Sequence, residues 1–360
     1  DDRQMSLQMD ARMNDMSILT LVNKDIIESG GKATIGATVT GNLNKLITNE
    51  ESVQFVGSCI LEKISANLER AFINFEDINA DISFDSRAIS AVEFNEFSGK
   101  LNDGEFELVT LYKPGISINW SRESGYRVGE FRNIGLKIKD CTIYQPQMYS
   151  IVFDADPIQL KGNYDTPKLT GNVTLKEGLY NESLQSLIEN ILSSREVGVK
   201  AVLDYPIVRD LELDVNLIHG YMRMDNGIID ADAEIATARV TGSLADPIIR
   251  TSGRITQGKF TYLNREFKIT KGEFSNDGPL NPQYDIVAQT ELSNDQANTG
   301  SNIKIQMELK GSLTERYPPN FSVIGGGGAT QDVPDLSQNQ IAAMIAFGIS
   351  PDQSISRAFS

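Results

Sequence analysis

The chain has little of the chemistry that most enzymes use. Its 360 residues include one histidine, His219, one tryptophan, and two cysteines, Cys59 and Cys141. A single histidine argues against His-based catalytic triads and His-ligated zinc sites. We interpret His219, in the phrase Leu-Ile-His-Gly, as a turn residue at the end of a strand. The cysteines could form one disulfide or stay as two unpaired buried thiols, and the sequence leaves both open.

Basic residues and long apolar runs are also scarce. The 33 Lys and Arg residues against 49 Asp and Glu give a net charge of −16. This balance argues against a nucleic-acid partner and against tight adsorption to anionic lipid, because both need clustered basic side chains. No run of 18 apolar residues occurs, so no membrane-spanning helix is predicted. The opening Asp-Asp-Arg-Gln-Met-Ser lacks an initiator Met and the apolar core of a signal peptide, and we therefore interpret the chain as a fragment.

Two clusters that could carry chemistry are better explained as structure. Asp230, Asp232 and Glu234 alternate along a predicted strand and could bind calcium or act as paired glycosidase carboxylates. The calcium-loop pattern is missing, so we favour a solvated outer face. Gly325 to Gly328 lacks the Lys-Ser or Lys-Thr of a phosphate loop, and we predict a flexible hinge there. No catalytic residue, cofactor or metal is predicted, and a polysaccharide hydrolase has little support.

What the chain has in abundance is apolar and polar residues in alternation, the pattern of strands with one apolar face. Turn signals such as Asn102-Asp103-Gly104 separate the alternating runs. Two segments are predicted as helices, 181–194 and 337–347, the second with a capping box formed by Ser337 and Gln340. Two short helices cannot cover some twenty strands. The apolar face must therefore close on itself, meet another sheet, or stay open for a ligand.

The chain is organised around a predicted bulged hairpin at residues 242–274. Its apolar positions are odd-numbered at Ile255 and even-numbered from Phe260, with Gly258 between them. The return strand changes parity in the same way around Gly272. One extra residue flips all later side chains to the other face, so each change of parity predicts a β-bulge. Leu263-Asn264-Arg265 is predicted as the turn between the two arms.

The same hairpin recurs along the chain. Shifted by 80 residues, Leu160–Pro167 aligns with Val240–Pro247, and the later change of parity recurs as well. The opening phrase also recurs from Val39 and from Leu309. Copies that start at 39, 160, 240 and 309 form a loose repeat, which favours a structure extended by repetition over a β-helix or propeller of strict period.

From about residue 204 to residue 348 the sequence resembles the C-terminal region of the TamB family, which is related to the AsmA-like and bridge-like lipid transfer proteins. The resemblance is carried by six phrases in order: Leu211–Leu217, Val240–Ile249, Gly253–Phe260, Phe267–Phe274, Ile303–Leu313 and Pro334–Gly348. The chain departs from the family pattern in the glycine-rich stretch before the last phrase. The family's further strands after the terminal helix are absent.

The resemblance implies an all-β fold: an elongated, curled sheet forming a U-shaped trough, or β-taco, with a hydrophobic inner groove and two short helices. We divide the chain into a trough of amphipathic strands (1–157), a region of repeated hairpins with the first helix (158–324), the hinge (325–336), and the terminal helix and tail (337–360). From the pattern alone, an ordinary sandwich core is the alternative.

The resemblance also implies a function. The first hypothesis is a passive conduit that carries phospholipid acyl chains between the inner and outer membranes. It would act in the periplasm of a Gram-negative bacterium, anchored to the inner membrane by an N-terminal segment absent here. The alternative is a scaffold for the insertion of outer-membrane β-barrel proteins, working by strand addition with a barrel partner of the TamA/BamA type.

Two sets of residues follow from these hypotheses. Those predicted to line a lipid groove are Ile118, Trp120, Leu136, Ile138, Leu211, Leu213, Val215, Leu217, Ile255, Phe260, Phe267, Ile269, Ile286, Ile303, Ile305 and Met307. Ile341, Met344 and Ile345 of the terminal helix either dock on the partner or pack on the last strands.

Overall fold

The described residues form an all-β fold, with one sheet of seventeen strands and two helices. The computed structural model describes residues 4–22, 26–42, 54–68, 72–88, 91–109, 113–121, 125–146, 148–181, 209–243, 246–278, 282–292, 303–312, 315, 318–326 and 336–347. The predicted helix 181–194 lies outside these residues except for Asn181. The terminal helix is present as predicted.

The strands are β1 Gln4–Met13, β2 Ile26–Asn42, β3 Gln54–Leu68, β4 Ile73–Asp85, β5 Val92–Leu101, β6 Gly104–Val109, β7 Gly115–Ser121, β8 Gly125–Gln145, β9 Tyr149–Asn163, β10 Lys168–Tyr180, β11 Glu212–Asp225, β12 Ile229–Ser243, β13 Asp246–Tyr262, β14 Arg265–Gly278, β15 Gln283–Leu292, β16 Ile303–Ser312 and β17 Asn320–Gly326. The helices are α1 Leu19–Val22 and α2 Gln338–Phe347.

The strands pair in chain order, so the sheet grows by adding each strand beside the previous one. All pairs are antiparallel except β10–β11, which is parallel. The short strands β6 and β7 share one place in the order, since both pair with β5 and with β8. In the described register β1 and β17 are the two edges, each with one paired neighbour. The proposed boundary between residues 157 and 158 lies inside β9, where the sheet is continuous.

The register collects apolar residues on one face of the sheet. Side chains of directly paired residues lie on the same face. One such row crosses six strands: Phe106, Ile138, Ala155, Val173, Leu217 and Ala238. We call the face that carries this row the apolar face and the opposite one the charged face.

Bulges keep apolar residues on this face along each strand. In β13 the register shifts at Thr256, between Ile255 and Gln257, and in β14 it shifts at Thr270. The predicted changes of parity are therefore confirmed, but the extra residues are threonines and not the glycines. Gly258 and Gly272 follow the bulges and lie against a neighbouring strand. An added Cβ would lie 2.5 Å from Ala231 Cβ at Gly258 and 2.8 Å from Ile255 Cβ at Gly272. Each glycine is needed for close packing.

The hairpin repeat is visible in the backbone. Gly162 and Gly242, which are 80 residues apart, end β9 and β12 with φ of 97° and 89°, a conformation that glycine adopts without strain. β10 also shifts register between Leu175 and Glu177, at the position equivalent to the β13 bulge. The β9–β10 and β12–β13 hairpins are thus two copies of one design.

The turn between β13 and β14 forms where it was predicted. Tyr262 pairs with Arg265, which leaves a two-residue turn of Leu263 and Asn264. Both have positive φ, 47° and 60°, as a type I′ hairpin turn requires. The prediction for His219 was wrong, because His219 lies within β11 and its ring meets Tyr221 edge-on at 4.7 Å.

The sheet curls around its apolar face at its C-terminal end. β13 and β17 are four strand spacings apart, about 19 Å in a flat sheet. The rings of Tyr262 in β13 and Phe321 in β17 nevertheless have their centroids 5.9 Å apart. Both side chains belong to the cluster that packs against α2.

Candidate functional site

The two faces differ sharply in charge. In the described residues of β8 to β16 the register places the charged side chains on the charged face, apart from Arg265 at the β13–β14 turn. Arg265 donates a hydrogen bond from Nε to the backbone oxygen of Ile345 in α2, at 3.3 Å. A small-molecule site usually has several convergent polar groups. This face instead offers a broad apolar surface.

The middle of the apolar face has no helix over it in the described residues, and its side chains range from buried, such as Ala155 and Leu175, to half-buried, such as Leu217. This open part includes six residues of the predicted lipid groove: Leu136, Ile138, Leu211, Leu213, Val215 and Leu217. Ile118 in β7 is half-buried as well, and Trp120 lies in the same strand. The structure therefore brings the β8 and β11 residues together on one continuous surface, although they are far apart in the sequence.

The C-terminal end of the apolar face is covered. Phe260, Phe267, Ile269, Ile305 and Met307 belong to a buried cluster. Ile255, Ile286 and Ile303 pack against its margin. The cluster is completed by Ile341, Met344 and Ile345 of α2, whose side chains are 2%, 1% and 0% exposed. Of the two roles considered for these helix residues, the structure shows packing on the last strands.

Side-chain hydrogen bonds fix the start of α2. Ser337 and Gln340 form the predicted capping box, in which the Ser337 N–H donates to Gln340 Oε1 at 2.9 Å and the Gln340 N–H donates to Ser337 Oγ at 3.4 Å. Gln338 bonds to the edge strand β17 through both ends of its amide. The Phe321 N–H donates to Gln338 Oε1 at 2.7 Å, and Gln338 Nε2 donates to the Phe321 carbonyl at 2.8 Å.

The charged face is a network of ion pairs between neighbouring strands. Arg223 contacts Asp230 at 2.6 Å and Asp232 at 3.2 Å, and Arg254 contacts Glu234 at 2.7 Å. The three acids that could have formed a site thus lie on the outer face, as predicted, each with an arginine. Within the described residues, no group of three His, Cys, Asp or Glu side chains is arranged to hold a metal ion.

The two cysteines are free thiols. Cys141 in β8 is fully buried, and burial, with a smaller contribution from Asp103, raises the pKa of its thiol to about 11. Burial also raises the pKa of Cys59. The thiol form therefore dominates at neutral pH, so neither cysteine has the character of a nucleophile.

The part of the apolar face at β1 was not predicted from the sequence. Leu7, Met9 and Met13 lie on this face, in register with Val39, Ala37 and Ala33 of β2, and are 56%, 51% and 37% exposed. The alternation of Leu7, Met9, Ala11 and Met13 with polar residues is a readable signal, obscured by the methionine-rich composition. The apolar face therefore extends from one edge of the sheet to the other.

No helix in the described part of the chain is long and apolar enough to cross a membrane. The curated proteins include no match to this chain. The family model of the TamB C-terminal domain matches residues 126–358, which is more than half of the chain. That match covers β8 to β17 and α2, the strands that carry both the open and the covered parts of the apolar face. The chain belongs to the TamB family, a non-enzymatic transport and assembly family of the Gram-negative envelope with a role in envelope biogenesis.

Proposed function

We propose that the chain is a passive conduit for phospholipid acyl chains between the inner and outer membranes. It would act in the periplasm, with an inner-membrane anchor outside this sequence. The observation that carries the proposal is the continuity of the apolar face, which the register extends through six successive paired strands in the row from Phe106 to Ala238. A conduit needs such continuity because a gap would force the chain into water.

The energy scale supports a surface of this kind. Each methylene that leaves water gains about 0.8 kcal/mol, so an acyl chain desorbs slowly into the aqueous phase. A continuous row of apolar side chains would give the acyl chain apolar contact throughout its path. Three positions in β11 supply such contact: Leu213, Val215 and Leu217 are half-buried, aliphatic and on one face. Polar headgroups would stay in water at the open side.

The first test is site-specific photo-crosslinking in cells at two adjacent positions of β11. Val215 lies on the apolar face and Asn216 on the charged face. A photoreactive residue at 215 should capture phospholipid, detected by mass spectrometry, and the same residue at 216 should not. Equal capture at both positions, or none at 215, would refute the conduit.

A scaffold for outer-membrane barrel proteins is the second candidate, and the sheet edges favour it. β1 and β17 each have one paired neighbour in the described register, so each is an edge to which a strand could be added, although at β17 Gln338 bonds the N–H and the carbonyl of Phe321. The family also implies a partnership with an outer-membrane protein of the TamA type. A photoreactive residue at the exposed Ser322 of β17 that captures a barrel protein, with no lipid captured at 215, would favour the scaffold.

A further inference from the structure

The covered end of the apolar face has the same chemistry as its open part. Beneath α2 lie Phe267, Ile305 and Met307, all 0% exposed, with aliphatic and aromatic neighbours on the same face. In the open part, residues of the same kind, such as Leu217, are half-buried. The apolar pattern of the strands is the same in both parts, and the covered part also packs against the buried side chains of α2.

Three apolar side chains of α2 cover this end of the apolar face. Ile341, Met344 and Ile345 project onto the sheet and are nearly or fully buried. They are flexible or branched aliphatic groups without charge, and Met in particular fits irregular apolar gaps. A ligand of the same character, a phospholipid acyl chain, can make the same contacts.

Few polar contacts hold the helix in this position. Gln338 bonds to the N–H and the carbonyl of Phe321 at one end of α2. Arg265 bonds to the carbonyl of Ile345 near the other end. None of the ion pairs identified among the described residues involves α2. The amide of Gln338 therefore acts as a clasp, because it ties the first turn of the helix to the edge of the sheet.

We propose that the surface beneath α2 is a terminal acyl-chain site, that α2 is its lid, and that Gln338 holds the lid shut. This inference rests on the proposed conduit and adds a gated exit to it. An acyl chain moving along the apolar face would be stopped at α2 until the clasp opens. The chain would then exchange places with Ile341, Met344 and Ile345.

The methionines of the chain provide a test without bulky probes. Diazirine methionine, which is nearly the size of methionine, would replace methionine during expression in cells, and lipid adducts would be mapped by mass spectrometry. Met9 and Met222 lie on the uncovered apolar face, whereas Met307 lies beneath α2. In the chain that carries diazirine methionine but no other substitution, we expect phospholipid adducts at Met9 and Met222 and few or none at Met307.

Opening the clasp should move lipid to Met307. Gln338→Ala removes both hydrogen bonds, and Gln338→Glu keeps the acceptor but cannot donate to the Phe321 carbonyl. Loss of one or two such bonds should raise the open fraction, and the adduct at Met307 relative to Met222, roughly five- to thirtyfold. Asn339→Ala, at the exposed next position, is the matched control and should leave the ratio unchanged. Amide hydrogen exchange in β11 would verify that the sheet stays folded.

The outcomes separate the lid from the conduit. Adducts at Met307 as strong as those at Met222 in the unmodified chain would overturn the lid and leave the conduit standing. A ratio unchanged by both Gln338 variants, with the sheet folded, would also overturn the lid. No phospholipid at Met9, Met222 or Met307 in any variant would refute the conduit itself, and the terminal site with it.

Discussion

Replacing Val215 by glutamate puts a carboxylate in the middle of the apolar face. Its directly paired neighbours there are Gly171 and Val240, which offer no opposite charge. An acyl chain that crosses β11 spans one strand spacing of about 4.8 Å, which is about four methylenes. Beside the carboxylate these methylenes would lose apolar contact on one side, which costs about 1.5 to 3 kcal/mol of binding free energy. That free energy corresponds to roughly tenfold to hundredfold weaker binding.

The assay is a fluorescence titration with an acyl-labelled phospholipid, which gives an apparent Kd for each variant. Asn216→Glu adds the same charge on the charged face and should leave the Kd unchanged. Val215→Gln separates polarity from charge and should fall between the two. Circular dichroism would show whether each variant retains the sheet. An unchanged Kd for folded Val215→Glu would show that this face does not bind the acyl chain.

Three further predictions concern stability. Phe267→Ala removes a fully buried ring stacked on Phe260 at 5.7 Å, and denaturant unfolding should show a loss of about 3 to 5 kcal/mol; a loss below 1 kcal/mol would contradict the packing described. Gly272→Ala should destabilise by about 1 to 3 kcal/mol because its Cβ would lie 2.8 Å from Ile255 Cδ1 and 2.9 Å from Ile255 Cγ1. Ile255→Ala removes both of these atoms and should recover part of the loss in the double variant; strictly additive effects would exclude this contact. Partial burial alone would raise the pKa of Asp154, but hydrogen bonds from the Asp140 N–H and from Lys176 outweigh it and lower the pKa below its ordinary 3.8. The Asp154 carboxylate therefore stabilises the fold above pH 3.8, and its contribution is lost as the pH falls through the lowered pKa. The difference in unfolding free energy between the native chain and Asp154→Asn should therefore shrink below pH 4, and a constant difference would contradict the assignment.

Features set by local chemistry could be predicted from the sequence. The changes of parity at 255–260 and 269–274, the turn at Leu263–Asn264 and the capping box at Ser337 were each readable, because a short run of residues determines each of them. The apolar face followed for the same reason, since alternation in a strand fixes which side chains share a face. The bulge residues themselves were misplaced, because threonine carries no signal that marks an extra residue.

Features set by the neighbouring strand could not be predicted. Lys63, Asp77, Asn133 and Asp140 adopt positive φ at register shifts, where the mismatch between two paired strands forces the conformation. Gly220 made Leu-Ile-His-Gly resemble a turn. An added Cβ at Gly220 would lie 2.8 Å from Leu175 Cβ in β10, so this glycine is small to fit its neighbour. The pairing that explains it is more than forty residues away in the sequence.

The sequence left two placements open for α2, on a partner or on the last strands, because periodicity shows which side of a helix is apolar and not what covers it. Its placement links the two proposed functions. The side-chain amide of Gln338 is hydrogen-bonded to the N–H and the carbonyl of Phe321, which point away from β16. An added strand would pair with the same two backbone groups. A strand can pair with β17 at Phe321 only after the clasp has opened. A closed lid therefore protects the free edge and the acyl-chain site together, and strand addition at this edge would favour opening of the conduit.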